Sequence, residues 1–193
     1  MPYLPPETIA NYFQSGPGTA SLWRAAGQWE SLWSELWDLE DKFDRMLVGL
    51  TAEWSGPAAR QVIEAVTPLR VWLSDFAGKL YATRKQTTRI VSAYSHACCT
   101  VISMAVIDAN RTQRMQLLAN DPLGLNAPTI AQLDQQYERL TIHNGRVWAR
   151  YSSELSEVSE ALSETTPFPP PSVAHNTGLV QPVAPETLVS ESV

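Results

Sequence analysis

The stretch Trp54-Ser55-Gly56-Pro57 most constrains what this chain can fold into. Before it, from about Thr19 to Glu53, runs a helical pattern without a proline, and after it a longer one extends from about Pro57 past Ile107. Glycine tolerates φ > 0 and ends a helix, while proline fits the first position of the next. The two helices are therefore expected to fold back as an antiparallel pair. Trp54 is expected to plug the space at the closed end.

The length of 193 residues suits one domain with a tail, and a hydrophobic fraction of 44% supports a real core. A net charge of −6 argues against nucleic acid as a partner, since phosphates demand a basic face. The only cysteines, Cys98 and Cys99, are adjacent and do not form a disulfide framework. The N-terminus Met-Pro-Tyr-Leu-Pro-Pro-Glu has no basic region and no apolar core, so a Sec-type signal peptide is not expected. The longest nearly apolar run, Ala97 to Ile107, is too short to span a bilayer, and no transmembrane segment is expected.

Pro5-Pro6-Glu7 starts a short helix to about Phe13, and Ser15-Gly16-Pro17-Gly18 breaks it. In the first long helix Leu22, Trp29, Leu36, Phe43 and Leu50 recur every seven residues. Ala25, Leu32, Leu39 and Met46 flank that row on one side, with Ala26, Trp33, Leu47 and Trp54 on the other. Glu35, Asp38, Asp41, Lys42 and Arg45 form the solvated face. The second long helix carries the rows Val62, Leu69, Phe76, Ile90 and Val66, Leu73, Leu80, Thr87, Tyr94. Pro68 inside it predicts a kink or a looser start. Asp108 is placed to cap a short helix from Ala109 to Ala119. Asn120 to Asn126 is a tight connection, with Gly124 in the left-handed region and Leu123 and Leu125 apolar at its tip. A last helix runs from about Pro128 to Ser163, with a stripe through Leu133, Tyr137, Leu140, Val147, Tyr151, Leu155, Val158 and Leu162. The whole reads as an all-α, elongated helical hairpin with a helical tip. Residues 1–165 form one domain of about five helices, and 166–193 a Pro-rich disordered tail. The long stripes are too wide for a two-helix seam, so one end of the hairpin needs a partner.

No catalytic constellation stands out. The acidic run Asp38, Glu40, Asp41, Asp44 lacks a nucleophile and a nearby histidine. His96, Cys98 and Cys99 have no second ligand cluster, and His143 and His175 lack suitable spacing. No phosphate loop or nucleophile elbow is present. The reading is a non-enzymatic protein without cofactor or metal. Trp23, Trp29, Trp33 and Trp37 are core or interface anchors, with Trp23 and Trp37 half exposed.

Pro5-Pro6-Glu7, Gly16-Pro17-Gly18, Trp54-Ser55-Gly56-Pro57, Asp108-Ala109-Asn110-Arg111 and the stretch from Asn120 to Ile130, in that order, resemble the PPE family of mycobacterial proteins, here a short member. Ile9 and Leu125 depart from residues frequent in that family. The resemblance implies a heterodimer with a PE protein, completed as a four-helix bundle. The interface would be Leu22, Trp29, Trp33, Leu36, Phe43 and Leu50 on the first long helix and Val62, Leu69, Leu73, Phe76 and Leu80 on the second. It further implies export by a type VII (ESX) secretion system, with Trp54 and Gly56 as part of the signal. An EspG-type cytosolic chaperone would grip Leu123, Gly124, Leu125 and Asn126. The pair would end secreted or at the cell surface, where a host-interacting effector role belongs. The other reading of the same stripe is a cytosolic, self-associating helical adaptor or scaffold.

Overall fold

The computed structural model describes residues 4–164 and Pro171. The expected tail lies outside the described residues apart from Pro171. The described chain is all-α, in five helices: α1 Pro6–Gln14, α2 Ala20–Glu53, α3 Pro57–Thr100, α4 Met104–Ala119 and α5 Ala127–Ser163. α3 passes through Pro68 without interruption, although that residue offers no N–H to the preceding turn.

Contacts group the chain into two compact units, one holding the chain up to Ser34 and again from Gly78 through α5, the other holding Glu35–Ala77. In each unit α2 and α3 run antiparallel. Glu30 pairs with Arg84 and Trp33 meets Tyr81 in the first unit, and Asp44 pairs with Arg70 in the second. In sequence, the members of every pair lie equally far from Pro57, as an antiparallel pairing of α2 and α3 requires. These ion pairs are at least partly exposed and individually contribute little. They report register rather than supply stability.

In the first unit the core gathers around α1. Pro6, Ile9, Ala10 and Phe13 lie on one face at helical spacing, and all are buried. Phe13 sits among Tyr94, Trp148 and Tyr151, with ring centroids 5.3–6.1 Å apart. The Phe13–Tyr151 pair is edge-to-face, a geometry that adds to the burial energy. Ala97 completes the cluster from α3. Gly16 is required where the chain leaves α1, because a Cβ there would collide with the Tyr94 hydroxyl and the Tyr12 carbonyl.

Two expectations about the middle of the chain are corrected. α3 ends at Thr100 rather than past Ile107, and α4 begins at Met104, so Asp108 lies inside a helix and caps nothing. The cause is Asn144 on α5, which is fully buried. Its Oδ1 accepts the Ile102 N–H at 2.9 Å, and its Nδ2 donates to the Ile102 and Pro6 carbonyls, each at 3.2 Å. A side chain from α5 thus takes over the backbone groups at the break. The third correction concerns membranes. The stretch Pro57–Ala119 holds an 18-residue window long and apolar enough to cross a bilayer by length and composition alone. The expectation of no such segment does not stand on those grounds. Within this stretch the chain leaves the helix at 101–103, and only 17% of the apolar window is buried by the rest of the protein.

Replacing Asn144 by Leu should cost about 3 kcal/mol, because three backbone groups lose their only described side-chain partner at a buried site. Denaturant unfolding of the full chain checks this. The same substitution at the exposed Asn120 should change stability by less than about 0.5 kcal/mol.

Candidate interaction surfaces

At the α2–α3 turn, Leu50 accepts the Trp54 N–H at 2.9 Å, closing α2. Gly56 then takes φ 108° and Pro57 opens α3. The positive φ at Gly56 is as the sequence implies. The role expected for Trp54 is not observed. Its side chain is 54% exposed, so it does not plug the hairpin. Residues 54–55 are non-helical, which takes Trp54 off the inward-facing stripe that it would join on a longer α2.

The partner-facing residues divide. Leu22, Trp29, Trp33, Leu36, Phe43, Leu50, Val62, Leu69 and Phe76 are half-buried. Leu73 and Leu80 are buried within the chain and have no surface to offer, contrary to expectation. The central row is largely used where α2 and α3 pack on each other. The exposed apolar residues of α2 belong to the neighbouring row by spacing, Leu32 in the first unit and Leu39 and Met46 in the second, with Trp23 exposed in the first and Trp37 in the second. Seven-residue spacing identified both rows but could not say which one the second helix covers.

α4 and α5 form a second antiparallel hairpin. Asn110 donates to the Leu133 carbonyl, and Arg114 Nε meets Asp134 Oδ1 at 2.5 Å. The Arg114 guanidinium holds the Asp134 carboxyl below its usual range. At the tip, Asp121 Oδ1 accepts the Leu125 N–H at 2.6 Å and Oδ2 accepts the Asn126 N–H at 2.9 Å. Asn126 Nδ2 reaches back to the Leu117 carbonyl, and Gly124 takes φ 72°. Leu123 and Leu125 are left 80% and 78% exposed. Asp121 was missed from the sequence as the organiser of this loop. Its signal is the Asx-turn pattern, a carboxylate binding N–H groups ahead of it in an Asp-Pro-x-Gly run.

The N-terminal Pro5-Pro6-Glu7 is likewise built in. Glu7 accepts the Tyr137 hydroxyl at 2.9 and 3.0 Å, and the Arg111 guanidinium lies 4.8 Å from the Tyr137 ring centroid. Ile9 is buried among the aromatic rings.

Among the described residues the chain is all-α, with exposed apolar side chains on α2 and two displayed leucines between α4 and α5. It belongs to the PPE family, which its sequence matches over residues 1–163. It is 38% identical to the PPE family protein PPE41 of Mycobacterium tuberculosis, over 97% of this chain and 96% of that one. It is 33% identical to the transporter PPE51 and 31% identical to the uncharacterized PPE61 of the same organism, in each case over 87% of this chain. It spans only about two fifths of those two, 43% and 41% respectively. None of these names carries an enzymatic activity.

Three tyrosines of the first unit resist ionisation. Tyr151 is pushed up to about 12, chiefly by burial and then by its hydrogen bond with Tyr12. Tyr94 is raised by burial and by Cys98, and Tyr137 by burial and by Glu7. A free tyrosine ionises near about 10. The folded state therefore holds protons that the unfolded state has lost, so stability is intact below about 10 and falls as pH rises through about 12. Absorbance at 295 nm should show a late-titrating group of tyrosines, with helical circular dichroism lost in the same range.

Proposed function

We propose that this chain is the non-enzymatic PPE subunit of a PE/PPE heterodimer exported by a type VII secretion system. The observation that carries the reading is the open row Leu32, Leu39 and Met46 on α2. Apolar side chains repeating at seven residues on one long helix fit the helices of a partner. This row, with the half-buried Trp29, Trp33, Leu36 and Phe43 beside it, takes the PE protein and completes a four-helix bundle. Trp54 and Gly56 form this chain's part of a signal read only after pairing. Leu123, Gly124, Leu125 and Asn126 are the grip of an EspG-type cytosolic chaperone, supported by the exposure of both leucines. The pair is delivered outside the cell or to its surface, where a host-interacting role belongs.

Expressed alone, the chain should aggregate, and co-expressed with a PE protein it should elute as a 1:1 complex by light scattering. A stable homo-oligomer indifferent to any PE protein would instead establish a self-associating cytosolic scaffold. Trp54→Ala should leave the heterodimer intact and abolish its export, measured by immunoblot of culture filtrate. Normal export of that variant would remove Trp54 from the signal. Leu123→Asp with Leu125→Asp should weaken chaperone binding by at least about tenfold without lowering stability, since neither side chain is packed.

A further inference from the structure

A groove of about 490 Å³ lies between α3 and α5 in the first unit, within the size range of small-molecule sites. It belongs to neither the partner row nor the tip. Its floor is Ala93, Ala97, Val147 and the ring of Tyr151. Both ends are closed by ties between the two helices. At one end His143 Nε2 bonds the Thr100 carbonyl at 2.9 Å. At the other, Arg89 Nε meets Glu154 at 2.8 Å and Arg89 Nη2 bonds Glu157. The distance between the ties, read along α3 from Arg89 to Thr100, is about 16 Å. A peptide helix or strand would have to run out through one of these ends, whereas a compact ligand would not.

The lip is cationic on an otherwise acidic protein. Arg146 and Arg150 both line the groove. They sit one turn apart on α5, and neither has an ion-pair or hydrogen-bond partner among the described residues. Two like charges at this spacing repel each other. An anion between them would turn that repulsion into charge-assisted hydrogen bonds. Arg139 and His143 continue the same stripe toward the tip.

We propose that this groove binds a free long-chain carboxylate, with the alkyl chain on the apolar floor and the carboxylate between Arg146 and Arg150. The proposal goes beyond the pairing and export reading and does not rest on it.

The test uses the full chain in the assembly in which it purifies, with 11-(dansylamino)undecanoic acid as fluorescent probe. Dodecanoate should displace the probe, dodecan-1-ol should do so at least about tenfold more weakly, and acetate and inorganic phosphate should not displace it. Arg146→Ala with Arg150→Ala should weaken dodecanoate by at least about tenfold and leave dodecan-1-ol unchanged. Both arginines are exposed, so the fold is kept. Ser92→Trp, an exposed position on the groove wall, should weaken both ligands by filling the space. Failure of the probe to bind, equal displacement by the alcohol and the acid, or full dodecanoate binding by the double variant overturns the proposal. So does tighter displacement by a glutamate-rich helical peptide, which would make the groove a protein-docking site.

Discussion

The first unit depends on one buried amide. Asn144 has no exposed surface, and it binds Pro6 of α1 and both backbone groups of Ile102 between α3 and α4. Without it, the break at 101–103 would leave a buried N–H and carbonyl without partners, and α3 and α4 would favour one continuous helix. With it, α4 can turn away from α3 and run antiparallel to α5. The short α1 is held by the same residue, so its aromatic contacts with α3 and α5 are formed on a fixed frame. Position 144 thus controls a loop, a terminal helix and the direction of the tip hairpin together.

The long hairpin obeys a different logic. α2 and α3 carry more apolar surface than they cover in each other. Leu73 and Leu80 are taken up inside the chain, while Leu32, Leu39 and Met46 stay in solvent. A helix wet along such a row is costly to keep in isolation. The aromatic cluster around Phe13 and Tyr151 takes no side chain from this row, so its packing does not depend on the row being covered.

Much of this was legible in the residues. Seven-residue spacing and the Trp54–Pro57 punctuation gave the two long helices, their turn and the left-handed Gly56, while proline, glycine and a 3-4 stripe gave α1, the left-handed Gly124 and α5. The exposed tip leucines followed from their place in a loop. Long-range satisfaction was not legible. The end of α3 is decided by a side chain 42 residues further on, and no local propensity carries that information. The outward Trp54 was missed for a related reason, since it stands at the heptad position of a stripe whose helix has already ended. The choice between neighbouring apolar rows depends on the rotation of α2 about its own axis, which a repeat leaves open.

The tip loop has one further consequence. Both carboxylate oxygens of Asp121, the Asn126 amide and the glycine conformation at position 124 lock the backbone that carries Leu123 and Leu125. The two side chains are therefore displayed from a backbone ordered before any encounter. Whatever takes hold of them loses little conformational entropy in fixing this loop, so less of the gain from covering the two leucines is offset by ordering. A small footprint, two leucines wide, can be enough for recognition when the loop beneath it is already rigid.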